Sequence, residues 1–262
     1  MRKMLLAVVA FLTMATTASA QFVQSNASAP ASSGNIFASM PTDGYNRVYF
    51  SYNPVSASWS EKASANKKYI PLNHGLTLGY LRGSNIIKSL PLFVEYGANF
   101  QWLFGDSKVP YYDEYGDEFK GNNNLNMFSI NIPVNVALRL SFMNNELSVT
   151  PYLGLNGRIN LGGFMKMPVA KEDDETISCK YDLFSDEDEI EEVDENEFST
   201  GMGDGALKRF QIGFNCGVTL SYKAYSIGIG YVADFNNIVD PDVDDPVTAK
   251  LGVTTISVGY NF

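Results

Sequence analysis

His74 is the only histidine in the 262 residues, so any chemistry that needs an imidazole base runs through it. On an extended strand the nearest neighbour on the same face stands two residues away, and a hydrolytic base needs a hydroxyl there to activate. The chain reads His74-Gly75-Leu76, with no serine at that spacing. One imidazole also falls short of a multi-histidine metal site. The two cysteines, Cys179 in an acidic stretch and Cys216 on an apolar strand face, read as unpaired thiols rather than a disulfide framework. Two groups of charged residues remain. Arg47, Glu95, Arg139 and Arg158 are isolated charges set into otherwise apolar, alternating segments. Gly162–Lys208 holds fifteen Asp and Glu against four Lys, which accounts for the chain's formal net charge of −10. Its densest run carries Asp186, Glu187, Asp188, Glu189, Glu191, Glu192, Asp194 and Glu195. The run lacks the central glycine and ordered acid spacing of an EF-hand loop. The expectation is a solvated loop that gathers divalent cations diffusely or offers acid to a basic partner, and that repels nucleic acid.

What positions these groups is a series of eight segments with a side-chain period of two: Arg47–Tyr52, Leu72–Arg82, Leu92–Phe104, Phe128–Leu140, Leu147–Leu161, Phe210–Tyr222, Tyr225–Phe235 and Lys250–Phe262. The clearest is Phe210–Tyr222, where every second residue from Phe210 through Ile212, Phe214 and Val218 is apolar and the intervening ones are Gln, Gly, Asn, Thr and Ser. Most segments exceed the roughly five or six residues of a soluble strand and reach the roughly 9–11 that cross a bilayer at a tilt. Their connections alternate. Short turns are expected near Ser84–Ser89, at Ser141–Glu146 and at Lys223. Longer loops are expected after the first strand, over Gly105–Asn123, over Gly162–Lys208 and over Asn236–Thr248. Pro91, Pro133 and Pro151 lack the N–H a ladder needs, so bulges or frayed pairing are expected there.

The two ends of the chain point the same way. Met1–Ala20 has Arg2 and Lys3, an apolar run from Met4 to Met14, and Ala18-Ser19-Ala20 before Gln21, the layout of a cleaved secretory signal peptide. Residues 21–44, rich in Ser, Ala and Pro, read as a flexible periplasmic segment. The final strand places Ile256, Val258, Tyr260 and Phe262 on one face and ends on the aromatic itself. That ending resembles the C-terminal signal of bacterial outer-membrane β-barrels. From Tyr45 onward, signal, strand pattern, loop rhythm and Phe262 together resemble the small porin-like outer-membrane barrel proteins of Bacteroidetes. The resemblance implies an all-β fold, a single eight-stranded antiparallel up-and-down transmembrane barrel over residues 45–262, with both termini periplasmic. It also implies partners: outer-membrane lipid and lipopolysaccharide, and the barrel-assembly machinery acting on the last strand through Tyr260 and Phe262.

On this reading Arg47, Glu95, Arg139 and Arg158 point inward, with Asn and Gln, as a polar plug, and Glu95 contacts Arg139 or Arg158. Charges confined in so narrow a space must be paired. Tyr80, Tyr222, Tyr225, Tyr260 and Phe262 form an aromatic girdle at one end, and Trp102, Phe104, Phe210 and Phe235 one at the other. His74 faces lipid near the outer rim. No cofactor, metal or catalytic residue is expected, and the role is structural or adhesive. The rivals are a narrow channel for small solutes, a lipid-modifying enzyme built on His74, and a secreted β-sandwich.

Overall fold

The computed structural model describes residues 40–59, 71–112, 118–172, 175–185, 191–194, 197–201, 207–239 and 248–262. The signal peptide, most of the tail after it, and Asp186, Glu187, Asp188, Glu189 and Glu195 lie outside these residues. Among the described residues there is no helix, and thirteen strands make one sheet.

Eight strands form a ring: β1 (Tyr45–Tyr52), β3 (His74–Asn85), β4 (Leu92–Tyr112), β5 (Glu118–Leu138), β7 (Leu147–Glu172), β11 (Phe210–Tyr222), β12 (Tyr225–Asp234) and β13 (Ala249–Asn261). Each pairs antiparallel with the next, and β13 returns to β1 through Arg47↔Asn261 to Tyr52↔Ile256. Closure leaves the ring portions of these strands no free edge. β2 (Val55–Trp59) continues β1 along upper β13, and β6 (Leu140–Phe142) continues β5 along β7. The tight connections, at Ile86–Pro91, Met143–Glu146 and Lys223–Ala224, lie at the end that carries Tyr45 and Phe262. Met143, Asn144, Asn145 and Lys223 take positive φ in those turns.

The longer side departs from the sequence expectation. Gly105–Asn123 is mostly strand, because β4 and β5 run on as a hairpin paired to Tyr112↔Glu118. Part of Gly162–Lys208 is strand too. β7 extends to Glu172 and turns back as β8 (Glu175–Asp182), which pairs in parallel with β10 (Glu197–Gly201), itself paired to β9 (Glu191–Asp194). Glu191, Glu192 and Asp194 thus lie on a strand rather than in an open loop. Local alternation marks where a face stays in phase, but it does not mark where a polar hairpin keeps pairing.

The prolines loosen pairing without shifting it. Between Tyr96↔Val134 and Asn99↔Asn131 the pairs opposite Pro133 and Ile132 drop out while the register is kept. The break between β5 and β6 falls opposite Pro151, and Pro91 precedes β4. The ring's register shift lies elsewhere: Phe128 faces Gly162 while Ser129 faces Asn160, leaving Leu161 as the extra residue of a β-bulge. Leu161 is accordingly exposed.

Period two in these strands sends large apolar side chains outward. Phe50 on β1, Leu78 on β3, Phe100 on β4, Val134 on β5, Leu155 on β7, Ile212 on β11, Ile229 on β12 and Val258 on β13 are each 47–66% exposed. The belt therefore passes round every strand of the ring. Tyr80, Tyr222, Tyr225, Tyr260 and Phe262 stand exposed toward the tight-turn end, and Trp102, Phe210 and Phe235 toward the other.

Candidate functional site

The bore of an eight-stranded ring is narrow enough for side chains to fill, and here it is filled in three tiers. Nearest the termini, Phe93 and Ala137 are fully buried beside Tyr45 and Tyr152. The Tyr45 hydroxyl donates to Glu95 Oε1 at 2.5 Å, and the guanidinium groups of Arg47 and Arg139 stand 5.4 and 5.1 Å from the Tyr45 ring centroid. Arg47 Nη1 lies 3.7 Å from Glu95 Oε1, and Arg47 Nε donates to Asn261 Oδ1 at 2.8 Å. Glycines on the facing strands make room for the inward tyrosines. A Cβ at Gly79 would overlap the Tyr49 ring, one at Gly83 the Tyr45 ring, and one at Gly230 the Tyr152 hydroxyl.

The middle tier is a network of amides. Asn131 donates to Asn99 at 2.9 Å, and Asn99 donates to the Tyr49 hydroxyl at 3.0 Å. Asn131 Oδ1 accepts from both Asn156 and Arg158 at 3.2 Å. Arg158 Nη1 donates to Asp234 Oδ2 at 2.7 Å, with both side chains 1% exposed. Beside this network lies a cavity of about 80 Å³, lined among others by Glu95, Gln101, Asn135, Asn215 and Ser257. That is room for a few water molecules.

The outer tier is apolar. Leu103, Leu125, Met127, Met165 and Leu251 point in from the walls, and Leu72, Leu183, Phe184, Leu207, Ile238 and Val239 pack over them from the connections. Backbone bonds tie that cover together: Leu183 N donates to Gly163 O, Leu207 N to Leu183 O, and Lys208 N to Ile238 O. The bulge at Leu161 lets β7 contribute Met165 to this tier, because it carries the inward phase from Asn160 to Gly163 and Met165.

Arg47, Glu95 and Arg158 are buried in the bore. Arg139 shares the Tyr45 ring with Arg47 but lies at the strand break and is only half-buried. The expected contact of Glu95 with Arg139 or Arg158 is corrected: Glu95 meets Tyr45 and Arg47, and Arg158 meets Asp234. The reason is stagger. Strands in a ring climb relative to one another, so inward residues that look level in the sequence sit at different heights. Asp234 was legible as an inward position of its strand, and Gly213 opposite it leaves space. What the sequence did not supply was its partner. Tyr152 falls on the inward phase of its strand, whereas Tyr45 and Tyr49 were missed because period-two reading assigns bulky residues to the apolar face.

His74 projects outward, with its Nδ1 2.6 Å from the Tyr52 hydroxyl and its ring 6.1 Å from that of Phe104. No serine stands beside it on the strand. Tyr260 and Phe262 are exposed, and the Phe262 backbone exchanges hydrogen bonds with Asn46. Cys179 and Cys216 are both free thiols; on β8, burial pushes the Cys179 thiol above its ordinary range, and a hydrogen bond with Tyr181 partly offsets this. Among the described residues no three His, Cys, Asp or Glu side chains gather as metal ligands.

No family model matches the chain, and no curated protein matches it. Among solved structures it is similar to Neisserial surface protein A, at 12% identity and a TM-score of 0.36 over 84% of this chain and 97% of that one. It is similar also to Ail, the attachment invasion locus protein of Yersinia pestis, at 12% identity and a TM-score of 0.35 over 84% of this chain and 99% of that one. A major outer membrane protein from Thermus thermophilus gives 14% identity and a TM-score of 0.35 over 84% and 100%. Likenesses this loose transfer no role, so the function is argued from the chain's own geometry.

Proposed function

We propose that the protein is an integral outer-membrane barrel of the small porin-like type, non-enzymatic, its bore filled by side chains, with a structural or surface-binding role such as adhesion. The observation that carries this reading is the inverted distribution of polarity: an exposed apolar belt around every ring strand, enclosing buried Arg, Glu, Asp and amides. A water-soluble monomer rarely exposes an apolar patch beyond a few hundred Å², whereas a sheet in hydrocarbon must close and turn its apolar side out.

The layout of Met1–Ala20 supports export, and the terminal Phe262 supports delivery by the assembly machinery. Tight turns and both termini at one end support a periplasmic position for that end. Lipopolysaccharide would meet the outer girdle, and the acidic residues of Gly162–Lys208 would gather divalent cations or a basic partner. The outward pose of His74 supports a non-catalytic role for it.

The test is fractionation. The protein is expected to travel with outer membranes and to stay there through salt and alkaline carbonate. Recovery in the soluble fraction would end the proposal in favour of a secreted β protein. The cavity of about 80 Å³ favours a second reading, a narrow channel. Steady conductance steps from the purified protein in planar bilayers would favour the channel over the filled bore.

A further inference from the structure

The bore changes character abruptly along its length. On β4 the cavity lining runs from Glu95 to Gln101, and the next inward residue, Leu103, is fully buried in the apolar tier. β13 passes likewise from Ser257 and Thr255 to Val253 and Leu251, and β5 from Asn131 and Ser129 to Met127 and Leu125. Toward the termini the walls of β7, β11 and β12 remain polar and small, with Ser148, Thr150, Ser221 and Ser226 buried there. The buried apolar group of Tyr45, Phe93 and Ala137 at that end lies on β1, β4 and β5, and Tyr152 of β7 packs against it.

Several acceptors in the polar region are left without a partner in the protein: Glu95 Oε2, Gln101 Oε1 and Thr150 Oγ1 are all buried. Glu95 and Gln101 are separated by about 20 Å of strand, so the unmet hydrogen bonds run the length of the cavity rather than marking one spot. Water satisfies buried polar groups when protein does not.

We infer that the polar cavity is a water-filled vestibule reached from the end that carries the termini, and that the apolar tier at the opposite mouth is the barrier that stops water and small hydrophilic solutes, ions included, from crossing. This rests on the outer-membrane reading, and it moves the seal from the charged residues to Leu103, Leu125, Met127 and Leu251. An ion among the amides keeps hydrogen-bonding partners; in the apolar tier it has none, and desolvation is the larger barrier.

The experiment places a single thiol at Ser257→Cys, in a background with Cys179→Ser and Cys216→Ala, refolded into phosphatidylcholine vesicles. Orientation is set by which connections added protease cuts. A small charged methanethiosulfonate is applied to one face or the other. Reaction from the terminal side is expected to be at least about tenfold faster than from the loop side, as an apolar desolvation step would impose. Adding Leu103→Ser and Leu251→Ser is expected to speed the loop-side reaction to match. Equal rates from both sides with the tier intact, or no reaction from either, would overturn the inference. So would a doubly substituted protein that is embedded yet still slow from the loop side. The comparison of sides with the tier intact stands even where the double variant does not fold. Failure of the parent protein to resist alkaline extraction would instead remove the outer-membrane reading.

Discussion

The charged groups in the bore are held as pairs, Arg47 with Glu95 and Arg158 with Asp234. Arg158 and Asp234 are the most enclosed of them, at 2.7 Å and 1% exposure each. Removing one member leaves the other as an uncompensated buried charge, which costs about 3–5 kcal/mol, whereas replacing both with apolar groups of similar size is often neutral. Arg158→Leu or Asp234→Leu alone is therefore expected to lower stability in urea unfolding from lipid vesicles by that amount, and the double substitution to recover most of it. Additive losses would show that the pair does not act as a unit. The identities of Arg47, Glu95 and Arg158 as inward groups were legible from strand phase. Their partners were not, because phase fixes a direction and leaves height unspecified.

At the scale of the strand, how one inserted residue is accommodated decides what the outer half of β7 shows to the bore. Before Leu161 the inward set is Asn156, Arg158 and Asn160; after it, Met165 joins the apolar tier. A one-residue slip exchanges the two faces of a strand. The bulge absorbs such a slip, so deleting Leu161 is expected to leave Gly162 opposite Phe128 and Met165 facing inward, and to preserve the compact, heat-modifiable form of the protein in electrophoresis. A deletion that lost that form would show that the bulge itself is needed for the ring to close. The bulge left no mark in the sequence reading, which ended its segment at Leu161 itself, where the alternation lapses. The hairpin of β4 and β5 was missed for a related reason: its outer half is rich in Asn, Gly and charged residues, which signal a loop locally, yet continuous pairing from Asn99↔Asn131 to Tyr112↔Glu118 satisfies its backbone.

For the molecule as a whole, the sign of the environment outside the belt is the decisive property. Ile229, on β12, is 56% exposed in the middle of that belt. In water, replacing so exposed a side chain changes stability by less than about 0.5 kcal/mol. Facing the midplane of a bilayer, a lysine there costs about 2–4 kcal/mol. Ile229→Lys is expected to show the larger loss in vesicle unfolding, and a negligible one would place the belt against water. The ring also explains why the interior can be polar at all. Within the ring, closure supplies every strand with two neighbours, so its backbone is paired whatever fills the bore, and the larger of the two apolar clusters sits at the outer mouth.

The sequence alone determined the all-β class, the outward face of the ring strands and the inward placement of Arg47, Glu95 and Arg158, since these follow from a period of two and from chain polarity. The heights at which inward residues meet, the pairing of Arg158 with Asp234, the sheet extensions beyond the ring and the apolar cover over the amide network were decided only by the tertiary structure. These depend on the stagger between strands and on contacts between segments more than two hundred residues apart, as between Arg47 and Asn261. No local pattern of side chains encodes how far one strand slides past the next.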